Sequence, residues 1–378
     1  MDVKQQSPWF NVEDEGKIDS PALLIYPERI AQNIREMLAI AGNPDRLRPH
    51  VKTHKMVEII RMQQDAGIRK FKCATLAEAE LLAQCATADV LVAYPLTGPG
   101  PARLSRLQKK YPATRFSCLV DNPQALETLE EIVQAEGILL GVFMDLNVGM
   151  NRTGIVPGPG AVELYKKMDS AKSLDCRGFH AYDGHLRNPD PQIRAKDCDA
   201  AFKKVEALRE TLLARAIRVP DIIAGGSPTF PIHARRTGVE LSPGTTLLWD
   251  ARYGSQFPEM PFLPAAVVLC RVISNPAPGI CCLDLGHKAV AAEMDFPRVL
   301  LPQLPGSRQI SQSEEHLVLQ GDPKKTPPIG TVLYAIPMHI CPTVIKYPQA
   351  LTVIEGSVCG KWNIAARDYH LPIKGPVF

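Results

Sequence analysis

Arg48-Pro49-His50-Val51-Lys52-Thr53-His54-Lys55 gathers two histidines, two lysines and an arginine, separated only by Pro, Val and Thr. Leu47, Pro49 and Val51 alternate into the stretch like the end of a strand, and Val57, Ile59, Ile60 and Met62 follow with helical spacing. Lys52 is therefore predicted where a strand gives way to a helix, the place where α/β folds put their chemistry. A lysine held there among other cations loses part of its preference for the ammonium form and becomes a nucleophile able to form a Schiff base. On these residues alone, a solvated basic loop is the competing explanation.

Outward from this stretch the chain keeps a regular beat. Short apolar runs lie at 22–26, 70–74, 89–94, 115–120, 140–146, 177–182 and 221–224, and the basic stretch itself supplies one more strand. Between them run helical patterns, one from Pro27 to the stop at Gly42-Asn43-Pro44 and the longest over about 190–216. Continuous apolar strands alternating with helices are the mark of a buried parallel sheet. The expected class is α/β, a (β/α)8 TIM-type barrel, with a doubly wound open sheet as the alternative. From about Pro258 the beat changes to short runs separated by Pro and Gly, which predicts a mostly β C-terminal domain. The expected domains are a barrel over 20–255 and a β-rich domain over 256–378, with 1–19 as a candidate extension of the second.

Composition removes several classes of partner. The chain has 378 residues, 22% of them charged, and a net charge of +3, which gives no reason to expect nucleic acid or an anionic membrane surface. No apolar run approaches the about 18 residues that span a bilayer. The N-terminus is polar and lacks an apolar signal core, so a cytoplasmic location is expected, with the ten cysteines as thiols. Cys118, Cys270, Cys281 and Cys282 sit in apolar runs and read as small core residues.

The residues after the strands carry the candidate chemistry. Gly225-Gly226-Ser227-Pro228-Thr229 closes the last barrel strand, and Ser242-Pro243-Gly244-Thr245-Thr246 follows soon after. Glycines let backbone N–H groups approach an anion and the hydroxyls add donors; barrels often hold a phosphate at their last strands. A pair of tight turns is the plainer reading. A Schiff-base lysine with a phosphate cradle points to pyridoxal 5′-phosphate. Arg152 lies in the turn Gly149-Met150-Asn151-Arg152-Thr153-Gly154. Facing the pyridine nitrogen, it would keep that nitrogen unprotonated; otherwise it is a surface ion-pair residue. In the tail, His339-Ile340-Cys341 would direct both side chains to one side if it were a strand, a donor pair suited to Zn²⁺, or else a buried pair. His316 and the knot Asp284-Leu285-Gly286-His287-Lys288 are further polar candidates.

Taken together, Arg48–Lys55, the turn to Arg152, Gly225-Gly226-Ser227 and Pro337-Met338-His339-Ile340-Cys341-Pro342-Thr343 resemble the D-threonine aldolase and D-serine dehydratase family of the alanine-racemase fold. The likeness runs from about Ser20 to the C-terminus, with the motifs in order. It implies a pyridoxal-phosphate enzyme, a barrel followed by a β-domain, and a homodimer. By the match, Lys52 carries the cofactor and Arg152 faces its pyridine nitrogen. Gly225, Gly226 and Ser227 hold the phosphate; His50, Tyr182, Thr229, Gly244 and Thr245 complete the cofactor surroundings. His339 and Cys341 bind a divalent metal, Zn²⁺ or Mn²⁺.

The implied reaction is cleavage of a D-β-hydroxy-α-amino acid, with an aldolase placed ahead of a dehydratase on overall likeness, particularly Tyr182-Asp183-Gly184 and Ser242-Pro243-Gly244-Thr245. An aldolase breaks Cα–Cβ of a D-threonine-like substrate to glycine and an aldehyde; a dehydratase expels the hydroxyl of D-serine to give pyruvate and ammonia. The family's aldolases carry His-x-Asp in the tail, so His-x-Cys leans toward the dehydratases and toward zinc. Those aldolases also have a histidine directly after the strand-seven tyrosine. Here Asp183 stands there and His185 follows, so His185 is the candidate base and Asp183 its rival. An amino-acid racemase would share Lys52 and Arg152 without needing metal. A non-catalytic pyridoxal-phosphate carrier would resemble the barrel alone.

Overall fold

The computed structural model describes residues 8–369; the polar segment 1–7, read above for the absence of a signal core, lies outside the described residues. The chain divides into two compact units, one made of residues 37–244 and the other of 8–36 with 245–367. The units change at 36/37 and 244/245, and the helix Pro27–Ala41 runs through the first of these points.

In the first unit seven parallel strands follow one another in sequence order: Lys70–Cys73, Asp89–Pro95, Arg115–Val120, Leu140–Asp145, Leu174–Ala181, Asp221–Ala224 and Glu240–Leu241. Both ends of this sheet meet the basic stretch. Leu47 bridges Leu241 and His50 bridges Lys72. The N–H groups of Arg48 and His50 donate to Leu241 and Pro243 at 2.8 Å, and Lys72 donates to the Pro49 carbonyl at 2.9 Å. The 47–50 segment is thus the eighth stave of a closed ring. Pro49 has no N–H to give, which keeps the segment from forming a full ladder.

The alternation of strand and helix is as predicted, but the set of eight is displaced by one. The run at 22–26 is not a barrel strand. Ala22–Ile25 lies in the second unit, antiparallel to Ala266–Ala277 and parallel to Gln349–Ile354. A short, fully apolar run looks the same in either sheet, so periodicity cannot assign it. Its barrel place is taken by Glu240–Leu241, too short to show a period at all. The helices start where their caps allow. Thr75, Asn122 and Asp190 each accept a backbone N–H at a helix start, at 3.1, 2.8 and 2.8 Å.

At the N-terminal end of the barrel Arg48 is fully buried and works as a plug. Its Nη1 donates to Asp89 at 2.5 Å and its Nε to Glu240 at 2.7 Å; these are the first residues of their strands. Arg115 and Arg177 also reach Asp89, and Lys70 reaches Glu240. Burial alone would raise the Asp89 pKa, but the three guanidinium groups hold the carboxyl well below the usual range. Arg48→Met should lower stability by about 3 kcal/mol, the low end for removing one member of a buried ionic group, because both carboxylates keep other cations. A urea denaturation midpoint unchanged from the parent would refute that.

The second unit is built on a nine-stranded sheet. Its core joins Phe10 and Val12 to Leu24, Tyr26, Val267, Leu269 and Tyr334. The β-rich reading of the tail holds, and Cys118, Cys270, Cys281 and Cys282 are buried as expected of small core residues. The local reading of His339-Ile340-Cys341 does not hold. The strand Val332–Pro337 stops short of it; His339 is the extended residue before the short helix Ile340–Val344. Asp284 serves the fold by accepting from Ser20 Oγ and from the Arg271 N–H, the latter at 2.6 Å. Among the described residues no helix is long and apolar enough to cross a membrane.

Candidate active site

The basic stretch separates as it folds. Arg48 turns to the barrel floor, Lys55 pairs with Glu78 in the interior at a positive φ of 57°, and His54 is buried with its Nδ1 accepting the Met56 N–H at 3.2 Å. His50 Nδ1 accepts the Lys52 N–H at 3.3 Å. Burial, then the charges of Lys52 and Lys72, holds the His50 pKa well below the ordinary imidazole value. Only Lys52, in the turn Val51–Thr53 and half-buried, is left facing the other end of the barrel.

There the ring of Tyr182 is the hub. Lys52 Nζ lies 5.9 Å from its centroid, Lys72 Nζ 5.7 Å and the Arg152 guanidinium 5.0 Å. A Cβ on Gly226 would come within 2.9 Å of the same ring, and one on Gly184 would strike it outright. The two glycine turns meet. Gly225 has a positive φ of 82°, Gly226 N–H donates to Thr229 Oγ1 at 3.2 Å, and Gly244 N–H donates to Ser227 Oγ at 3.2 Å. Gly244 also sits against His50, where a Cβ would be 3.1 Å from the His50 Cβ. Thr245 belongs to the second unit and approaches Cys341, Oγ1 to Sγ, at 3.7 Å.

Sequence reasoning passed over a buried polar chain below Tyr182. Lys72 Nζ contacts His180 Nε2 at 3.3 Å, and His180 Nδ1 is 2.7 Å from Asp145 Oδ1. All three are at most 5% exposed. Burial and the nearby Lys52 push the Lys72 amine down to about 7. Burial works against ionised Asp145, yet the hydrogen bond and charge of His180 hold its pKa below normal. The one signal available was Lys72 interrupting an apolar strand, Phe71-Lys72-Cys73, in which neighbours face opposite ways.

The two base candidates fare differently. Asp183 is 3% exposed, and both of its oxygens are engaged, by Thr229 Oγ1 at 2.7 Å and His233 Nε2 at 2.8 Å. A carboxylate held this way is a poor choice for taking a substrate proton. Its role is to brace the turn that carries Gly226 and Thr229. His185 is exposed, with Nε2 only 2.8 Å from where a Cβ on Gly149 would stand. Asp183, Cys198 and His233 offer ligand atoms within 4.8 Å of one another, close enough for one metal ion. The hydrogen bonding favours a clasp instead. Asp183 and Cys198 both contact the same nitrogen, His233 Nε2, while the buried Nδ1 meets no partner. A metal on Nε2 would drive the proton to Nδ1, where nothing accepts it.

In the second unit His339 and Cys341 do meet. Burial opposes charge on His339, but the hydrogen bond and charge of Cys341, with a hydrogen bond donated to Glu293, raise it to about 9. Glu293 pairs with His339 Nδ1, the carboxylate–imidazole contact that orients metal-binding histidines. Asp250, buried and pushed up to about 6 by desolvation, accepts the Ile340 N–H at 3.2 Å and fixes the turn. Glu293 was not legible, since it lies 46 residues from its partner. His316, by contrast, is exposed and reaches only Ser313.

Residues 25–250 match the model described as "Alanine racemase, N-terminal domain", and residues 265–353 match "Putative serine dehydratase domain". The chain is 28% identical to a D-threonine aldolase of Arthrobacter sp., over 94% of each chain. It is 29% identical to a 3-hydroxy-D-aspartate aldolase of Paracoccus denitrificans (strain Pd 1222), over 94% of this chain and 93% of the other. The solved D-threonine aldolase of Filomicrobium marinum superposes with a TM-score of 0.87 at 26% identity, covering 96% of this chain and 99% of that one. With the first match spanning well over half the chain, the protein belongs to the alanine racemase N-terminal domain family.

Proposed function

We propose that the protein is a pyridoxal-phosphate- and divalent-metal-dependent lyase of D-β-hydroxy-α-amino acids, and that it cleaves Cα–Cβ to release glycine and an aldehyde. The observation that carries this reading is the convergence on Tyr182 of Lys52, Arg152 and the Gly226 turn at one end of the barrel. Aldolase names on relatives covering 94% of this chain support the C–C alternative.

The chain's residues fit a phosphorylated pyridine cofactor. The Gly226 and Gly244 N–H groups donate only to hydroxyls, at 3.2 Å, the long end of the hydrogen-bond range. Exchanging those acceptors for phosphate oxygens is a small rearrangement, and Ser227 then adds its hydroxyl as a donor while Thr229 keeps its proton on Asp183. Bound there, the cofactor supplies an electron sink for bonds at the substrate's α-carbon. Lys52 anchors it through the side-chain amine. Arg152 retains its proton and keeps the ring nitrogen unprotonated. Tyr182 gives the flat apolar surface, and Asp183 with His233 keeps the Gly226–Thr229 turn in place. His185 is the candidate base for the substrate hydroxyl. His339 and Cys341 hold the metal, which supplies positive charge for an oxygen ligand.

The test is a product assay with purified protein, pyridoxal phosphate and Zn²⁺ or Mn²⁺. D-threonine should yield glycine and acetaldehyde, and 3-hydroxy-D-aspartate should yield glycine and glyoxylate. The second reading, a dehydratase, is favoured by Cys341 in the tail and by the C-terminal domain match. It requires a keto acid and ammonia from D-serine. Absence of both product pairs would reject the lyase.

A further inference from the structure

The barrel interior is ordinarily filled by branched aliphatic side chains. Here it contains Lys72, His180 and Asp145 in an unbroken hydrogen-bonded line, all nearly inaccessible, and the end of that line lies under Tyr182. None of the three is needed to hold a phosphate, a pyridine nitrogen or a metal. A buried lysine is costly unless its charge state is used. From this arrangement we propose that Lys72 is the residue that delivers a proton to the substrate's α-carbon. The proposal rests on the lyase reading above.

Two features direct it to that carbon. Lys72 and Lys52 both approach the same ring, at nearly equal distance. The α-carbon is one bond from the amino nitrogen that would replace the Lys52 amine, so it would come to the same ring. Behind Lys72, Asp145 fixes the proton of His180 on Nδ1 and leaves Nε2 to accept from the Lys72 ammonium. When Cα–Cβ breaks, the bond's electron pair stays on Cα. Lys72 gives one proton to that carbon, a C–H bond forms, and the ammonium becomes an amine. The β-hydroxyl's proton leaves through His185 to the medium as the aldehyde forms, and Lys72 takes one back from the medium, so no proton is gained or lost over a turn.

The groups facing Lys72 are His50, Lys52, Arg48, Asp145, His180 and Asp183. The balance of burial and Lys52 against the two carboxylates brings the amine to about 7, where an acid–base group works at neutral pH.

Two measurements test this. In cofactor-free protein carrying ¹³C-labelled lysine, the Lys72 resonance, assigned with Lys72→Met, should titrate near neutrality. Its midpoint should rise in Lys52→Met and fall in Asp145→Asn. In the loaded protein, glycine in D₂O should lose its α-hydrogen signal. Lys72→Met should retain the cofactor's visible band but slow that exchange by about 100-fold or more. Lys72→Arg, which keeps the charge but cannot release it, should be equally slow. A Lys72 midpoint in the ordinary lysine range, or exchange at the parent rate in Lys72→Met, overturns the assignment while the lyase stands. A parent protein that binds cofactor but exchanges nothing overturns both.

Discussion

Lys52→Ala should bind pyridoxal phosphate without forming the visible Schiff-base band and should lose at least about 1,000-fold in turnover. The reason lies in the division of labour within the basic stretch. Lys55 is fixed to Glu78 and Arg48 to Asp89 and Glu240, so neither can replace Lys52. Lys72 is the only other lysine placed at Tyr182 among the described residues, and it is held inward by His180. The proposed phosphate cradle of Gly225, Gly226, Ser227, Thr229 and Gly244 is tied together by its own hydrogen bonds, so affinity for the cofactor should survive in part. Absorbance spectra before and after borohydride reduction, with mass mapping of the reduced adduct, check this directly. A band that persists with the label on Lys72 would transfer the anchoring role to the inner lysine.

Much of this was readable from the residues, and the failures have physical causes. That Gly225-Gly226-Ser227 and Gly244 are turns was legible from their place after apolar runs, and Gly244 does meet Ser227; that they hold a phosphate is the proposal. Lys52 was legible because its neighbours mark a strand-to-helix junction. Arg48 and Lys55, the cations beside Lys52 in the sequence, are paired elsewhere, and the cation that shares the Tyr182 ring with Lys52 is Lys72, from the adjacent stave. Pairings across the barrel, such as Lys72 to His180 and Asp183 to His233, are separated by 108 and 50 residues and leave no local pattern. The misplaced strand at 22–26 is the same problem in apolar form, because burial on both faces erases the period that would identify its sheet.

His339→Ala and Cys341→Ala should each weaken divalent-metal binding by at least about 100-fold, and Glu293→Gln by about 10- to 100-fold, the range for a partner that orients a ligand. The order follows from what each group does. His339 and Cys341 are hydrogen-bonded to each other, so a divalent ion at this turn would find an imidazole and a thiol side by side as donors. Glu293 touches only the other imidazole nitrogen, Nδ1, so its loss frees the ring to turn without removing a donor. Cys341→Asp should restore binding with a shift from Zn²⁺ toward Mn²⁺, since carboxylate oxygen suits the harder ion. Titration against a chelating dye gives the affinities, and the product assay run on the same samples ties them to turnover. Equal metal affinity in His339→Ala and the parent would remove the ion from this turn. Intact affinity with lost turnover would instead make the histidine's part in the reaction independent of the metal.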